Sequence, residues 1–448
     1  MVKETVTGAA RLRDVPSDKF ALCKKKKTER ADKLSFDIIG GESVMPRGAW
    51  WGPYRVLRDG YPDYLSDEYF GYMKDAELNF VCAVPNNVGS HPEVIEESLS
   101  LCEKYNVGYF VNDYSFRKCD EEEMKRNLPR YINRAACIGV HVFDEPYPED
   151  FAALKKATEL YRKLTDDSKP LYFNLFPSYG KFGDDAVRLK NYEKYLDDFC
   201  SELGVKMLSY DYYAFKKREY ERGRLKLFFD NLAIAGAVAK KHSLPLWTFV
   251  QAGDAFFGSG NDGEKAFPTT DMLIWNVNVN LAYGAKAMQY FTFIQPAAPY
   301  PEKSFDMDCR SLGMIGADGK KNIWFDAVKS ANGTIRSLER FLMNARHRGV
   351  MASGEKTVSL LDGQTVLPSF GEIRRITGGE TVTGCFDYRG APAIYVVNND
   401  YEKETVAHVE LDAVYAFEAI AKGKSQAFAA DKFTLNLSAG EGVFIRLL

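Results

Sequence analysis

From about residue 36 the chain repeats one pattern: a short apolar run, a polar break, then a stretch with helical spacing. The apolar runs are VMPRGAW (44–50), NFVCAV (79–84), VGYFVN (107–112), IGVHVF (138–143), PLYFNL (170–175), VKMLSY (205–210), PLWTFV (245–250) and AMQYFTF (287–293). Between them lie amphipathic stretches such as DEYFGYMKDAE, PEVIEESLSLCEKY, EEEMKRNLPRYINRAA and PEDFAALKKATELYRKL. In the last, Phe151, Leu154, Ala157 or Thr158, Tyr161 and Leu164 recur at helical spacing, and Pro148, Glu149 and Asp150 suit its first turn. Strand and helix alternating in this way predict a closed (β/α)8 TIM barrel. The rival is an open doubly wound sheet, which normally carries a glycine-rich phosphate loop after its first strand. GGESVMPRG has the glycines but no GxGxxG register, and GxxxxGK occurs nowhere.

After about residue 352 the pattern shortens. KTVSLL, GEIRRIT, TVTGCFDYRG, APAIYVVNND, TVAHVEL, YAFEAI, KFTLNL and GEGVFIRLL are β-rich runs separated by Gly, Asn and Asp. They predict a small all-β sandwich. The expected division is an N-terminal extension over 1–35, the barrel over 36–351 and the sandwich over 352–448.

Active sites of such barrels gather at the C-terminal strand ends. The residues expected there are Trp50 and Trp51 (strand 1), Asn112 and Asp113 (strand 3), Asp144 and Glu145 (strand 4), Asn174 (strand 5), Asp211, Tyr212 and Tyr213 (strand 6), and Gln251 and Asp254 (strand 7). That is a polar, ring-lined pocket. Side-chain alternation assigns the faces. His141, Phe143 and Glu145 share one face of strand 4, and the Val140, Val142 and Asp144 face should look toward the helices. Tyr172 with Asn174, Met207 with Ser209 and Asp211, and Trp247 with Phe249 and Gln251 align in the same way. A bulge at a strand end would break this parity. Glu145 follows an apolar strand and has a carboxylate beside it, the setting that raises an acid's pKa. With Asp211 as a second carboxylate, the pair suits glycosidic hydrolysis. Asp144 is a further catalytic candidate, or the cap of the following helix. His141 reads as a core histidine or a substrate contact. Trp50 and Trp51 form a stacking platform for sugar rings or close the barrel end.

Composition narrows the partners. The 448 residues carry a net charge of -3, with 59 basic and 62 acidic side chains, which gives no support for nucleic acid. No apolar stretch reaches the length of a membrane span. The 26 Tyr, 30 Phe and 5 Trp suit a carbohydrate cleft or simply a large core. The 8 cysteines are dispersed without CxxC, and the 5 histidines form no ligand motif, so no metal and no cofactor is expected. No GxSxG anchors a serine hydrolase. The N-terminus lacks a signal-peptide h-region, which points to the cytoplasm, or to secretion or the periplasm if a signal peptide has been removed.

HVFDEP at strand 4 resembles the Asn-Glu signature of the large glycoside hydrolase superfamily built on (β/α)8 barrels, with Asp144 in the Asn place. The resemblance implies that Glu145 is the acid/base. The barrel followed by a β-sandwich ending in AGEGVFIRLL also resembles these enzymes and their accessory domains. Retaining members carry a nucleophilic Glu at the end of strand 7, where this chain has Gln251. Three readings follow. Asp211 or Asp254 supplies the second carboxylate. Alternatively, Asp144-Glu145 resembles the Asp-Glu pair of enzymes that use the substrate's own acetamido group, which implies that Asp144 holds the acetamido nitrogen. Otherwise the chain is a non-catalytic glycan-binding protein on a degenerate barrel.

Overall fold

The computed structural model describes residues 2–21, 23, 25–56, 62–215, 222–253, 269–295, 313–316 and 318–448. Each apolar run coincides with or overlaps a parallel strand. Barrel strands 1 to 8 are Arg47–Trp50, Phe80–Cys82, Gly108–Asn112, Cys137–Asp144, Leu171–Asn174, Leu208–Tyr210, Leu246–Gln251 and Ala287–Phe291. They neighbour one another in chain order, with strand 8 beside strand 1. Between strands 5 and 6 the ring is completed by a single parallel bridge, Leu175 to Tyr210, and by the Leu175 N–H donating to the Ser209 carbonyl at 2.9 Å. The result is a near-closed parallel barrel.

The helices that follow the strands bury the faces that their spacing dictates. Phe151–Leu164 buries Phe151, Leu154, Ala157, Thr158 and Tyr161. The barrel interior is a separate apolar layer that includes Trp50, Phe80, Phe110, Tyr172, Trp247 and Phe249. Two strand glycines make room for its rings. A Cβ on Gly48 would lie 2.2 Å from the Phe80 ring, and one on Gly139 would lie 2.5 Å from the Phe110 ring.

The C-terminal part is an antiparallel sheet. Its longest strand, Thr405–Ala421, shifts register between Glu410 and Tyr415. Before the shift it pairs with Ile373–Gly378, and after it with Gly442–Leu447. Changing partner at an irregularity lets one sheet wrap an apolar layer that includes Ile394, Val409, Phe417, Phe433 and Leu435. The N-terminal strands Val6–Thr7 and Ala10–Arg11 join this sheet by pairing with Lys424–Leu437.

Helix Thr270–Ala282, after strand 7, ties the sheet to the barrel. Its Asn278 is buried yet paired: the amide donates to the Gly440 carbonyl at 2.8 Å and Oδ1 accepts from the Tyr395 hydroxyl at 2.8 Å. Trp275 Nε1 donates to Asn399 Oδ1 at 2.9 Å. Gly384 is needed here, because its Cβ would meet the Ala282 carbonyl oxygen at 2.2 Å. Among the described residues, no helix is long and apolar enough to cross a membrane.

Candidate active site

Strand 4 departs from simple alternation. It pairs His141 with Tyr172, then Phe143 with Phe173 and Asp144 with Asn174, so one residue of strand 4 is left over. This bulge reverses the expected faces at the strand end. Phe143 turns outward, under the Arg117 guanidinium at 5.1 Å. Asp144, expected to face the helices, turns inward beside Asn174. The next residue, Glu145, has φ 54°, a left-handed conformation that costs a non-glycine residue roughly 1–2 kcal/mol. Trp51 and Ala83 have the same positive φ, at 53° and 54°. All three stand directly after the last residue of a barrel strand, so the strain is concentrated at the mouth.

Asn174 organises the carboxyls. Its Nδ2 donates to Asp211 Oδ1 at 3.0 Å and to Asp144 Oδ1 at 3.2 Å. The Tyr213 hydroxyl also bonds to Asp211. Among the described residues, no hydrogen bond or ion pair reaches the Glu145 carboxyl. Its backbone N–H donates to the Asn174 carbonyl at 2.8 Å, which fixes the turn. Tyr195, from helix Arg188–Leu203, donates to the Pro146 carbonyl at 2.7 Å and holds the segment just beyond.

All three carboxyls are displaced toward the neutral form. Burial pushes Asp144 up to about 6, against the opposing pull of the Asn174 amide and the Arg117 charge. Burial and then the Asp144 charge raise Asp211. Burial, then Asp211 and Asp144, raise Glu145 furthest, to well above its usual range. Three like charges in one mouth cannot all ionise near neutrality, and Glu145, whose charge no hydrogen bond among the described residues favours, is the one displaced furthest toward the neutral form. Asp144 is open to water at its surface but surrounded by protein mass. Solvent reaches its surface, while the surrounding protein limits its hydration. Asp211 is only 5% exposed.

The remaining candidates divide. His141 lies inside the barrel, its Nδ1 3.0 Å from Asn112 Oδ1, and the Asn112 amide donates to the Val84 carbonyl at 2.9 Å. Burial depresses His141 to about 3, so it is neutral, and its Nε2 is buried without a partner. Trp50 is an interior ring, edge-on to His141 at 5.5 Å and to Phe249 at 5.2 Å. Trp51 is half-buried just outside it. Gln251 Nε2 donates to the Phe215 carbonyl at 2.9 Å, and its Oε1 is buried without a partner among the described residues. Tyr213 belongs to the inner layer, whereas Tyr212 packs outside against Phe228 and lies 5.8 Å from Tyr179. Asp113 turns away from this group and accepts from Ser115, Asn127 and Tyr131. Asp254 lies outside the described residues. Among those residues, no cluster of His, Cys, Asp or Glu could hold a metal ion.

Sequence reasoning passed over rings that follow strands 4 and 5. Tyr147 lies 4.6 Å from Phe176, and Tyr179 is 42% exposed. Their only sequence signal is position, shortly after strands 4 and 5.

No family model matches the chain, and no curated protein matches it. Solved structures do. Amy13B of Eubacterium rectale is 9% identical with a TM-score of 0.51, over 94% of this chain and 97% of that one. A noncanonic maltogenic α-amylase, AmyB of Thermotoga neapolitana, is 9% identical with a TM-score of 0.49, over 91% and 99%. GH5_18 of Bifidobacterium longum is 11% identical with a TM-score of 0.46, over 65% and 80%. At such identities the likeness is one of fold alone.

Proposed function

We propose that the chain is a glycoside hydrolase that cleaves an O-glycosidic bond of an oligosaccharide or glycoconjugate, with Glu145 as general acid. The observation that supports this most is the unequal hydrogen bonding of the three mouth carboxyls: Asn174 donates to Asp144 and Asp211, and among the described residues nothing donates to Glu145. Glu145 is held neutral by burial and by two negative neighbours, whereas Asp144 and Asp211 receive hydrogen bonds that favour the ionised form. A neutral acid beside an ionised carboxylate is the arrangement that glycosidic cleavage needs: one group protonates the leaving oxygen, and the other supplies negative charge or a nucleophile at the sugar carbon. In this reading Asp211 is the second carboxylate.

A specific observation favours a second route. Asp144 is the ionisable partner open to the cleft, whereas Asp211 is nearly covered. Asp144 then faces the substrate, where it orients an acetamido N–H so that the acetamido oxygen attacks the sugar carbon.

The test is Glu145→Gln, assayed on aryl glycosides whose leaving groups differ in pKa, with both 2-hydroxy and 2-acetamido sugars. General acid catalysis contributes roughly 10²–10⁴-fold. Loss of that order on poor leaving groups, shrinking toward dinitrophenyl leaving groups, is expected. A variant as active as the parent on poor leaving groups would rule out Glu145 as the acid. Turnover confined to 2-acetamido sugars would select the second route.

A further inference from the structure

Beneath the carboxyls lies a line of buried polar groups with no charge of their own. On strand 8, Gln289 is 1% exposed in the middle of the barrel. The Tyr172 hydroxyl donates to Gln289 Oε1 at 2.6 Å, and Gln289 Nε2 donates to Ser209 Oγ at 2.9 Å. Ser209 Oγ then donates to Asn174 Oδ1 at 3.3 Å, and the Asn174 amide donates to both Asp144 and Asp211.

We propose that Gln289 is a positioning residue of the active site: through Ser209 it fixes the orientation of the Asn174 amide, so that both Asn174 N–H bonds face Asp144 and Asp211. The argument is one of donor order. A glutamine carbonyl only accepts, so the Tyr172 proton sets which end of Gln289 faces Ser209. Ser209 has one proton. Accepting from Gln289 leaves that proton to go to Tyr172, 3.0 Å away, or to Asn174 Oδ1. The Tyr172 proton is already committed to Gln289, so only the bond to Asn174 gives Asn174 Oδ1 a partner. An Asn174 turned the other way would present its oxygen to two carboxylates. The links from Tyr172 through Asn174 to Asp211 are buried, so water offers no substitute there, and an unmade bond costs more than it does at a surface. What this does for catalysis rests on the hydrolase reading above, but the tie itself does not.

The tie has a readout that needs no substrate. Losing the Asn174 donors raises the pKa of Asp144 and Asp211 further. Groups with raised folded pKa values stabilise the fold below their unfolded pKa and lose that contribution as pH rises. The other charged or titratable groups facing the pair are Glu145, Arg117, Cys82 and the hydroxyls of Tyr172, Tyr192, Tyr195, Tyr210 and Tyr213; burial keeps the thiol and the hydroxyls protonated through pH 8, so losing the Tyr172 bond to Gln289 adds no titration to the window. Thermal unfolding of Gln289→Met is measured from pH 4 to pH 8, alongside the milder Ser209→Ala, which removes one oxygen and keeps the core. The expected result is a drop in Tm that grows with pH by the order of 2 °C. The growth should vanish when Asp144→Asn and Asp211→Asn are also present. A drop equal at all pH values in both variants overturns the proposal and leaves the Glu145 assignment untouched. Conversely, an inert Glu145→Gln result with a pH-dependent drop here would sink the hydrolase reading and keep the tie.

Discussion

Two carboxyls, Asp113 and Asp211, follow the ends of barrel strands 3 and 6, and their surroundings could hardly differ more. Both are buried, at 0% and 5% exposure, and burial raises the pKa of each. Asp113 accepts from the Ser115 N–H and hydroxyl at 3.0 and 2.7 Å, from Asn127 at 3.1 Å and from Tyr131 at 3.0 Å. Every influence on it after burial favours its charge, and its donors come from its own turn and from helix Glu121–Tyr131. Asp211 shares its asparagine with a second carboxylate, whose charge opposes its own ionisation. Depth and a raised pKa therefore do not mark a working acid. What separates the two is where the donors come from and whether a like charge competes for them.

The largest effect expected is a crossover between these positions. Asp113→Ala strips four hydrogen bonds from a buried turn and leaves their donors unpaired. It should cost about 2–4 kcal/mol of stability and leave turnover per folded molecule near the parent value. Asp211→Asn should do the reverse, lowering kcat by roughly 10²-fold or more while Tm holds or rises. Melting curves and kcat on the same preparations decide it. Turnover lost at Asp113 and kept at Asp211 would break the comparison. A smaller effect is expected at Glu145→Asn. Asparagine tolerates the left-handed backbone better than glutamate and removes a buried acid. Tm should rise by a few degrees, in keeping with a site that trades stability for function.

The barrel was legible because its signal is periodic. Each apolar run overlaps its strand, and the helix after strand 4 buries the face that its spacing gives. The C-terminal sheet was legible as β-rich, but not the pairing of its edge with Val6–Thr7, since two residues carry no period. In the site, the strand ends located Asp144, Glu145, Asn174 and Asp211 together, because strand position is a local property. The facing of Asp144 was not legible: it depends on one extra residue between His141 and Phe143, which alternation alone does not reveal. Asp113 was grouped with the mouth by position, and the donors that claim it come from residues 115, 127 and 131. Gln289 hid inside AMQYFTF, where one polar letter in an apolar run gave no direction.

Asp144 offers the finest test, because it acts on its neighbours through charge. Asp144→Asn removes a negative charge that raises both Asp211 and Glu145. Both should ionise more easily, each by roughly half a unit to one unit. In the proposed mechanism activity needs Asp211 ionised and Glu145 protonated, so the acid limb and the alkaline limb of the kcat/KM profile should both move to lower pH. Stability should respond with the matching sign. The Asp144 carboxyl, raised to about 6, stabilises the fold fully below its unfolded pKa near 4, and that contribution is lost as pH climbs through 6. Glu145 and Asp211 extend the same loss to higher pH. The Tm of Asp144→Asn relative to the parent should therefore become more favourable from pH 4 upward. A shift of one limb alone would mean that Asp144 senses only one of the two acids. A constant difference in Tm would mean that its charge is already absent in the parent, and the contrast with Asp113 would then rest on hydrogen bonds alone.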